Sequence, residues 1–260
     1  MSEAPESGKK VPKKANFRGW RRLDLGPLRK ALRFDAKGAP ERPLFEAALV
    51  FAAFWLAAYL PADPSAAGAA LASPAFHVAL LAQLIPKALL LLYLMSRAEG
   101  LAAFGMRGLG WSRIELVNAL LVTGGALAIA LLPGLAAQLL GLPMRNPLFE
   151  GMMFPAASPF ILIPLAALSS LAIGLGEELF FRVYLIRRIE LGGLKPVWAA
   201  TASSLLFASA HGIQGILGLV VAAALGGFFS YIWLKKKSFW TVALGHAAYD
   251  FVVILLSLYA

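Results

Sequence analysis

The sequence predicts an all-α polytopic membrane protein with about seven transmembrane helices, or eight if one further segment crosses. Its 260 residues are 60% hydrophobic, and the mean hydropathy is +0.73. Soluble domains are closer to half apolar, so this excess favours a chain that crosses a membrane repeatedly. The spacing of its apolar stretches and the distribution of its basic residues point the same way. The chain contains no cysteine, which excludes disulfides, thiolate metal ligands and a cysteine nucleophile.

Seven apolar stretches approach the length of about 20 residues that an α-helix needs to cross the hydrocarbon core. The fourth becomes more polar towards its end. The fifth is short, which leaves an eighth span or a re-entrant segment open. We expect a transmembrane helical domain over residues 44–260. The predicted spans cover residues 44–60, 76–95, 117–142, 159–188, 196–212, 215–234 and 238–258.

Basic residues are concentrated on one predicted side of the membrane. The chain has 24 Lys and Arg residues and a formal net charge of +10. Twelve of them lie in residues 1–43, and 21 fall on the inner side if the N-terminus is cytoplasmic. This split satisfies the positive-inside rule and predicts a multi-pass protein with a cytoplasmic N-terminus. The Ala/Leu-rich composition and the lack of an organelle-targeting segment favour the cell inner membrane. The basic cytoplasmic tail, residues 1–43, is expected to attract anionic lipids, and no nucleic-acid partner is expected.

Three short motifs place ionisable side chains inside the predicted spans, where such groups are costly and usually functional. Each motif joins residues four positions apart, which lie on one face of an α-helix. With a rise of about 1.5 Å per residue, the polar groups reach about 14–22 Å below the inner surface. Three spans thus bring carboxylates and imidazoles to one level, as a buried water-activating active site requires. The motifs are Glu177-Glu178-x-x-x-Arg182, Phe207-x-x-x-His211 and His246-x-x-x-Asp250.

In this order, the three motifs resemble those of the CAAX protease and bacteriocin-processing family, also called Abi or CPBP. That family consists of intramembrane endopeptidases and includes proteins similar to type II CAAX prenyl endopeptidase. The resemblance implies a catalytic core at about residues 160–256 and a membrane-anchored protein or peptide as substrate. It also implies that Glu177 and His211 hold and deprotonate the attacking water.

The remaining ionisable residues of the motifs have more than one reading. Glu178 and Arg182 are spaced for an ion pair that neutralises buried charge and orients Glu177, and a direct catalytic role for Glu178 stays open. The resemblance implies that His246 and Asp250 support the oxyanion or the water. An ionised Asp250 cannot donate to an oxyanion, so we expect it to be protonated or to orient His246.

Metal dependence stays open at this point. Two histidines and a carboxylate could bind zinc and activate water. The family has been described both as a metalloprotease and as a glutamate-type protease that works without metal. The sequence lacks His-Glu-x-x-His, and the candidate ligands come from three helices, which favours a mechanism with no obligatory metal.

Two other functions compete with proteolysis. Buried Glu, His and Asp side chains also form the proton relays of transporters. The sequence shows no inverted repeat and few spans, which disfavours a proton-coupled transporter. A non-catalytic membrane scaffold would keep the motifs for packing alone, and it should tolerate conservative changes such as Glu177→Gln.

Four residues outside the motifs carry smaller expectations. Gly174 and Gly176 precede the glutamates and are expected to permit close helix contact. His77 is expected to be unremarkable at the outer edge of the second span. Lys87, inside that span, is expected to extend its amine towards water or to stabilise a kink at the neighbouring proline.

Overall fold

The structure is a computed structural model, and it describes residues 40–104, 106, 112–142, 146–150, 155 and 157–259. Residues 1–39, most of the predicted basic tail, lie outside the described residues. The described chain contains ten α-helices, which are α1 Pro43–Trp55, α2 Pro64–Ala70, α3 Pro74–Ala98, α4 Arg113–Leu139, α5 Pro147–Glu150, α6 Pro159–Glu178, α7 Ile186–Leu191, α8 Pro196–Ser209, α9 Gly215–Lys236 and α10 Phe239–Tyr259. The all-α polytopic fold class is thereby confirmed.

Local sequence signals fix many of the helix ends. Proline opens several helices, α3 and α6 among them, where its missing N–H costs no helical hydrogen bond. Helix α4 begins with a capping box, in which the Ser112 hydroxyl accepts from the Glu115 N–H at 3.3 Å and the Glu115 carboxylate accepts from the Ser112 N–H at 2.8 Å. Helix α9 ends at Lys236, and the φ of the next residue, Lys237, is 49°, in the left-handed region that terminates helices.

The number of spans differs from the predicted seven. Five helical segments of the described chain are long and apolar enough to cross a membrane, by length and composition. A sixth would be the bent pair Pro43–Tyr59 and Pro64–Ala70, whose two parts meet at 100°. The predicted fifth span is the 14-residue helix α8, about 21 Å long at 1.5 Å per residue, which is shorter than the hydrocarbon core. Its shortness follows from the break that Gly212 and Gly215 flank before α9.

The fourth predicted span is one helical segment of 33 residues, Pro159–Leu191, with a π-helical part in its middle. The π-helical part, Leu179–Leu185, starts directly after Glu178, and all seven of its residues are buried. A π-helix turns its side chains differently from an α-helix and often occurs at functional sites. This segment therefore changes the face on which Arg182 lies relative to a regular α-helix.

Helices α6 and α10 form the centre of the bundle and pack closely at Gly174. A Cβ atom at Gly174 would lie 2.6 Å from the Ala247 N atom and 2.7 Å from the Ala243 O atom. The close contact predicted for Gly174 is confirmed, because only glycine lets the two backbones approach so closely. The contact predicted for Gly176 is wrong, since a Cβ there would meet no atom of the described residues within 4 Å. Helix α10 also packs against α4, while α8 packs against α9 and α3 against α6.

A buried ion cluster ties α1, α3 and α7 together at one end of the bundle. Arg188 lies between the carboxylates of Glu46 and Glu99, at 3.3 Å and 2.5 Å. Arg187 reaches the same Glu99 carboxylate at 2.6 Å, and the Tyr184 hydroxyl donates to Glu46 at 2.8 Å. Because opposite charges compensate each other there, the cluster holds the end of the 33-residue segment against two neighbouring helices.

Lys87 and His77 have specific partners inside the bundle. The Lys87 ammonium donates to the Phe54 carbonyl at 3.0 Å, near the point where α1 ends. His77 is completely buried rather than lying at an open edge. Its Nε2 donates to the Leu71 carbonyl at 3.0 Å, and its Nδ1 lies 2.7 Å from the Ser169 hydroxyl. His77 therefore ties the turn before α3 to helix α6.

Candidate active site

A buried chain of three polar side chains connects α6, the π-helical part and α10. Arg182 Nε lies 3.1 Å from Glu178 Oε2, and both side chains are 1% exposed. The other carboxylate oxygen, Glu178 Oε1, lies 2.7 Å from His246 Nδ1. An ionised carboxylate only accepts, so His246 donates its Nδ1–H to Glu178. Glu178 thus contacts His246 on the neighbouring helix, in addition to the predicted pairing with Arg182.

Aromatic rings surround Arg182 and His246. The Arg182 guanidinium lies over the Phe207 ring, 4.4 Å from its centroid, and is 5.5 Å from the Phe229 ring centroid. Phe229 in turn stacks on His246, with centroids 4.7 Å apart and planes inclined by 25°. Attraction between a cation and a ring face partly compensates Arg182 for its loss of water. The rings also leave His246 little freedom to turn.

The second nitrogen of His246 faces the two remaining carboxylates of the motifs. Its Nε2 lies 3.5 Å from Asp250 Oδ2 and 3.8 Å from Glu177 Oε2. Both carboxylates are more accessible than Glu178, with side chains 19% and 12% exposed. Glu177 Oε2 itself is buried and has no hydrogen-bond partner among the described residues. A buried carboxylate oxygen without a partner is the kind of group that binds a water or a substrate.

His211 follows the C-terminus of α8, where its orientation is fixed by its own motif. Its Nδ1 lies 2.7 Å from the Phe207 carbonyl. Because a carbonyl only accepts, Nδ1 carries the hydrogen, and in a neutral ring Nε2 holds the free lone pair. The ring centroids of Phe207 and His211 are 4.6 Å apart, so Phe207 packs directly beside the histidine of its own motif.

One cavity of about 250 Å³ brings the accessible members of the three motifs together. Glu177, His211, His246 and Asp250 all line it, and they come from three separate segments of the chain. Glu178 and Arg182 do not line the cavity and lie behind it. The cavity also has residues that the motifs did not predict, among them Ile173, Gln214, Tyr249 and Val253. Tyr249 lies three positions after His246, so helical spacing alone could have indicated it.

The described side chains do not form a metal site as they stand. Zinc suits two histidines and a carboxylate arranged as a tetrahedron. Among the residues that the structure describes, no group of three or more His, Cys, Asp or Glu side chains is arranged to hold a metal ion. His246 Nδ1 and His211 Nδ1 are both occupied by hydrogen bonds within the protein.

Comparison with known proteins gives one match. No curated protein and no solved structure matches the chain. A family model described as "Type II CAAX prenyl endopeptidase Rce1-like" matches residues 159–252, a segment that contains all three motifs. The match supports a protease in general terms, and together with the apolar helices it indicates a multi-pass membrane protein. Residues 159–252 are therefore similar to the Rce1-like family, which confirms the resemblance predicted from the three motifs.

Proposed function

We propose that the protein is an intramembrane endopeptidase that hydrolyses a peptide bond of a membrane-associated substrate with a water activated by Glu177 and His211. The observation that carries this proposal is the shared cavity, into which three segments bring two imidazoles and two carboxylates. The match to the Rce1-like family supports the reaction class. The mechanism and the residue roles are our inference from the geometry.

The attacking water would bind between Glu177 and His211. Glu177 Oε2 can accept one of its hydrogens, and His211 Nε2 can accept the other. Glu177 takes a proton as the water oxygen adds to the substrate carbonyl carbon, and it returns this proton to the amide nitrogen as the carbon–nitrogen bond breaks. Both steps use one carboxylate as base and then as acid, so the protons balance.

His246 and Asp250 would stabilise the tetrahedral intermediate. With Nδ1–H bound to Glu178, His246 presents Nε2 to the cavity, where a protonated nitrogen can donate to the developing oxyanion. Asp250, one turn further along α10, orients that nitrogen from 3.5 Å. In this assignment His246 donates to the oxyanion and Asp250 does not, so Asp250 can be ionised. Glu178 and Arg182 then act through His246, since neither reaches the cavity.

The setting of the reaction follows from charge and composition. We propose that residues 44–260 form the membrane domain and that the N-terminus is cytoplasmic in an inner membrane. The basic tail would contact anionic lipids, and the partner would be a membrane-anchored protein or peptide. Nucleic acid is not expected as a partner.

Cleavage by the purified full-length protein tests the proposal. The substrates are membrane-anchored peptides, including prenylated CAAX peptides and C-terminal anchor helices, in detergent micelles and in vesicles. Glu177→Gln and His211→Ala should lower kcat/KM roughly 10²–10⁴-fold, because each removes a group that handles the water. Glu190→Gln is the matched control, since Glu190 follows the Arg187–Arg188 pair in α7 and does not line the cavity.

The comparison of variants also separates the competing functions. A scaffold or transporter would give no cleavage in any variant, and a site elsewhere would leave Glu177→Gln as active as Glu190→Gln. Each reaction is repeated with a chelator, and we expect cleavage to persist. Loss of cleavage that zinc restores would instead establish a metal-dependent mechanism.

A further inference from the structure

Along α6, α9 and α10, the cavity lies mainly on one side of the site's ionisable side chains. On α10 its wall starts at His246 and continues only towards the C-terminus, as far as Ile254. On α6 it includes Ile173 and Glu177, which both precede Glu178. On α9, which runs antiparallel to α10, the wall uses residues 221–225 in the first half of the helix.

The other side of the site is densely packed. All seven residues of Leu179–Leu185 are buried. Phe229 and Trp233, in the second half of α9, are 0% and 4% exposed. Val242 and Ala243, which precede His246 on α10, are 1% and 0% exposed. Water therefore reaches the site through the cavity and not through this packed half.

Charge distinguishes the two ends of the bundle. Lys87 and Arg182 lie inside spans. Every other described Lys and Arg lies at the packed end, and the described residues of the cavity end contain none. The cavity end instead presents the partly exposed side chains of Leu71, Leu148 and Gln214 as the rim. The packed-end cations are Arg42, Arg97, Arg113, Arg187, Arg188, Lys195, Lys235, Lys236 and Lys237. By the positive-inside rule, the packed end is cytoplasmic.

We propose that the catalytic cavity is entered from the non-cytoplasmic face, so that the substrate is a peptide bond exposed on that side of the membrane. The role as a substrate site rests on the proposed function, whereas the direction of access does not. The substrate class is then a membrane-anchored protein whose cleaved segment has already crossed the membrane or lies in the outer leaflet.

A groove in the same half of the bundle indicates where the apolar anchor of such a substrate lies. It has a volume of about 600 Å³ and runs between α4, α9 and α10. Gln214, Val221, Tyr249 and Val253 line both the groove and the cavity, so the two are continuous. The rest of the lining is mostly apolar, and its α4 part starts at Leu127, beyond the middle of that helix. An anchor in the outer half of the bilayer can therefore lie in the groove while its peptide bond reaches Glu177.

Cysteine labelling tests the direction of access without requiring cleavage. The chain has no cysteine, so single substitutions report one position each. Gln214→Cys probes the rim, Asp63→Cys marks the cavity end, and Lys236→Cys marks the packed end. Ser230→Cys probes the packed half, since Ser230 is 3% exposed. Each variant is treated with a membrane-impermeant maleimide in sealed vesicles of both orientations, after its melting temperature has been compared with that of the wild type.

The expected result is that Gln214→Cys reacts in the vesicles in which Asp63→Cys reacts, while Ser230→Cys reacts in neither. Reaction of Gln214→Cys from the side of Lys236→Cys, or from neither side, would overturn the proposal. Failure of the proposed peptidase function would leave this labelling pattern unchanged, so the two failures are distinguishable.

A pair of variants on α4 tests the groove. Ala130 lines it, whereas Ala128 on the same helix is exposed and does not. Ala130→Trp should raise KM for an anchored substrate roughly tenfold because the larger ring fills the groove. Ala128→Trp should leave KM unchanged. Equal KM values for the two variants would show that the groove does not bind the substrate.

Discussion

We expect the contributions of Glu178 and Arg182 to the free energy of unfolding to be strongly coupled, because the two side chains form a buried ion pair. Both side chains are 1% exposed, and Arg182 Nε lies 3.1 Å from Glu178 Oε2. Removing one partner of a buried pair leaves an uncompensated charge, which costs about 3–5 kcal/mol. Glu178→Gln keeps an oxygen that accepts from His246 and removes only the charge. We therefore expect Glu178→Gln and Arg182→Gln each to lower the free energy of unfolding by about 3–5 kcal/mol.

The double variant is expected to recover much of this loss, because it removes both charges together. A double-mutant cycle with Glu178→Gln, Arg182→Gln and the pair combined gives the coupling, which we expect to be about 3 kcal/mol. The assay is reversible unfolding in mixed micelles, followed by helical circular dichroism. Arg187→Gln is the control: Arg187 is 35% exposed in its pair with Glu99, and its loss should cost no more than about 1 kcal/mol. Costs that add within about 0.5 kcal/mol would refute the reasoning.

Two further predictions concern the packing that holds the site. Gly174→Ala should lower both the melting temperature and the cleavage rate, because the new Cβ would lie 2.6 Å from the Ala247 N atom, whereas Gly176→Ala should lower neither. An equal effect of the two alanines would contradict the close crossing of α6 and α10. His77→Ala should destabilise the protein by about 1–3 kcal/mol, because it leaves the buried Leu71 carbonyl without its donor. His77→Gln should restore part of the loss by donating to that carbonyl, and an unchanged melting temperature in His77→Ala would show that the bond contributes nothing.

The sequence predicts the fold class and the membership of the cavity well, because both depend on regular helical geometry. Depth in a span follows from a constant rise per residue, so the common level of Glu177, His211 and His246 could be calculated before any packing was known. A four-residue spacing also predicts which side chains share a face, as for His246 and Asp250, whose atoms lie 3.5 Å apart.

The differences arise where the chain departs from a regular helix or where two helices meet. Apolar composition cannot distinguish a full span from the 14-residue α8, since both are equally hydrophobic over their length. The π-helical part after Glu178 has no periodic signature, because its residues are apolar except for Arg182. The hydrogen bond from His246 to Glu178 depends on which helices are neighbours, and spacing within one motif carries no information about that.

The adjacent glutamates of the first motif lie in different surroundings, and we propose that they have different tasks. Successive residues of an α-helix point about 100° apart, so Glu177 and Glu178 must face different surroundings. Glu178 faces the packed core, where its two oxygens are used by Arg182 and His246. Glu177 faces the cavity and keeps a buried oxygen without a partner among the described residues. A carboxylate that is fully engaged in an ion pair is a poor base, whereas an unengaged one needs nearby groups fixed around it. The pairing of Glu178 therefore fixes His246, and in the proposed mechanism this leaves Glu177 available for the water.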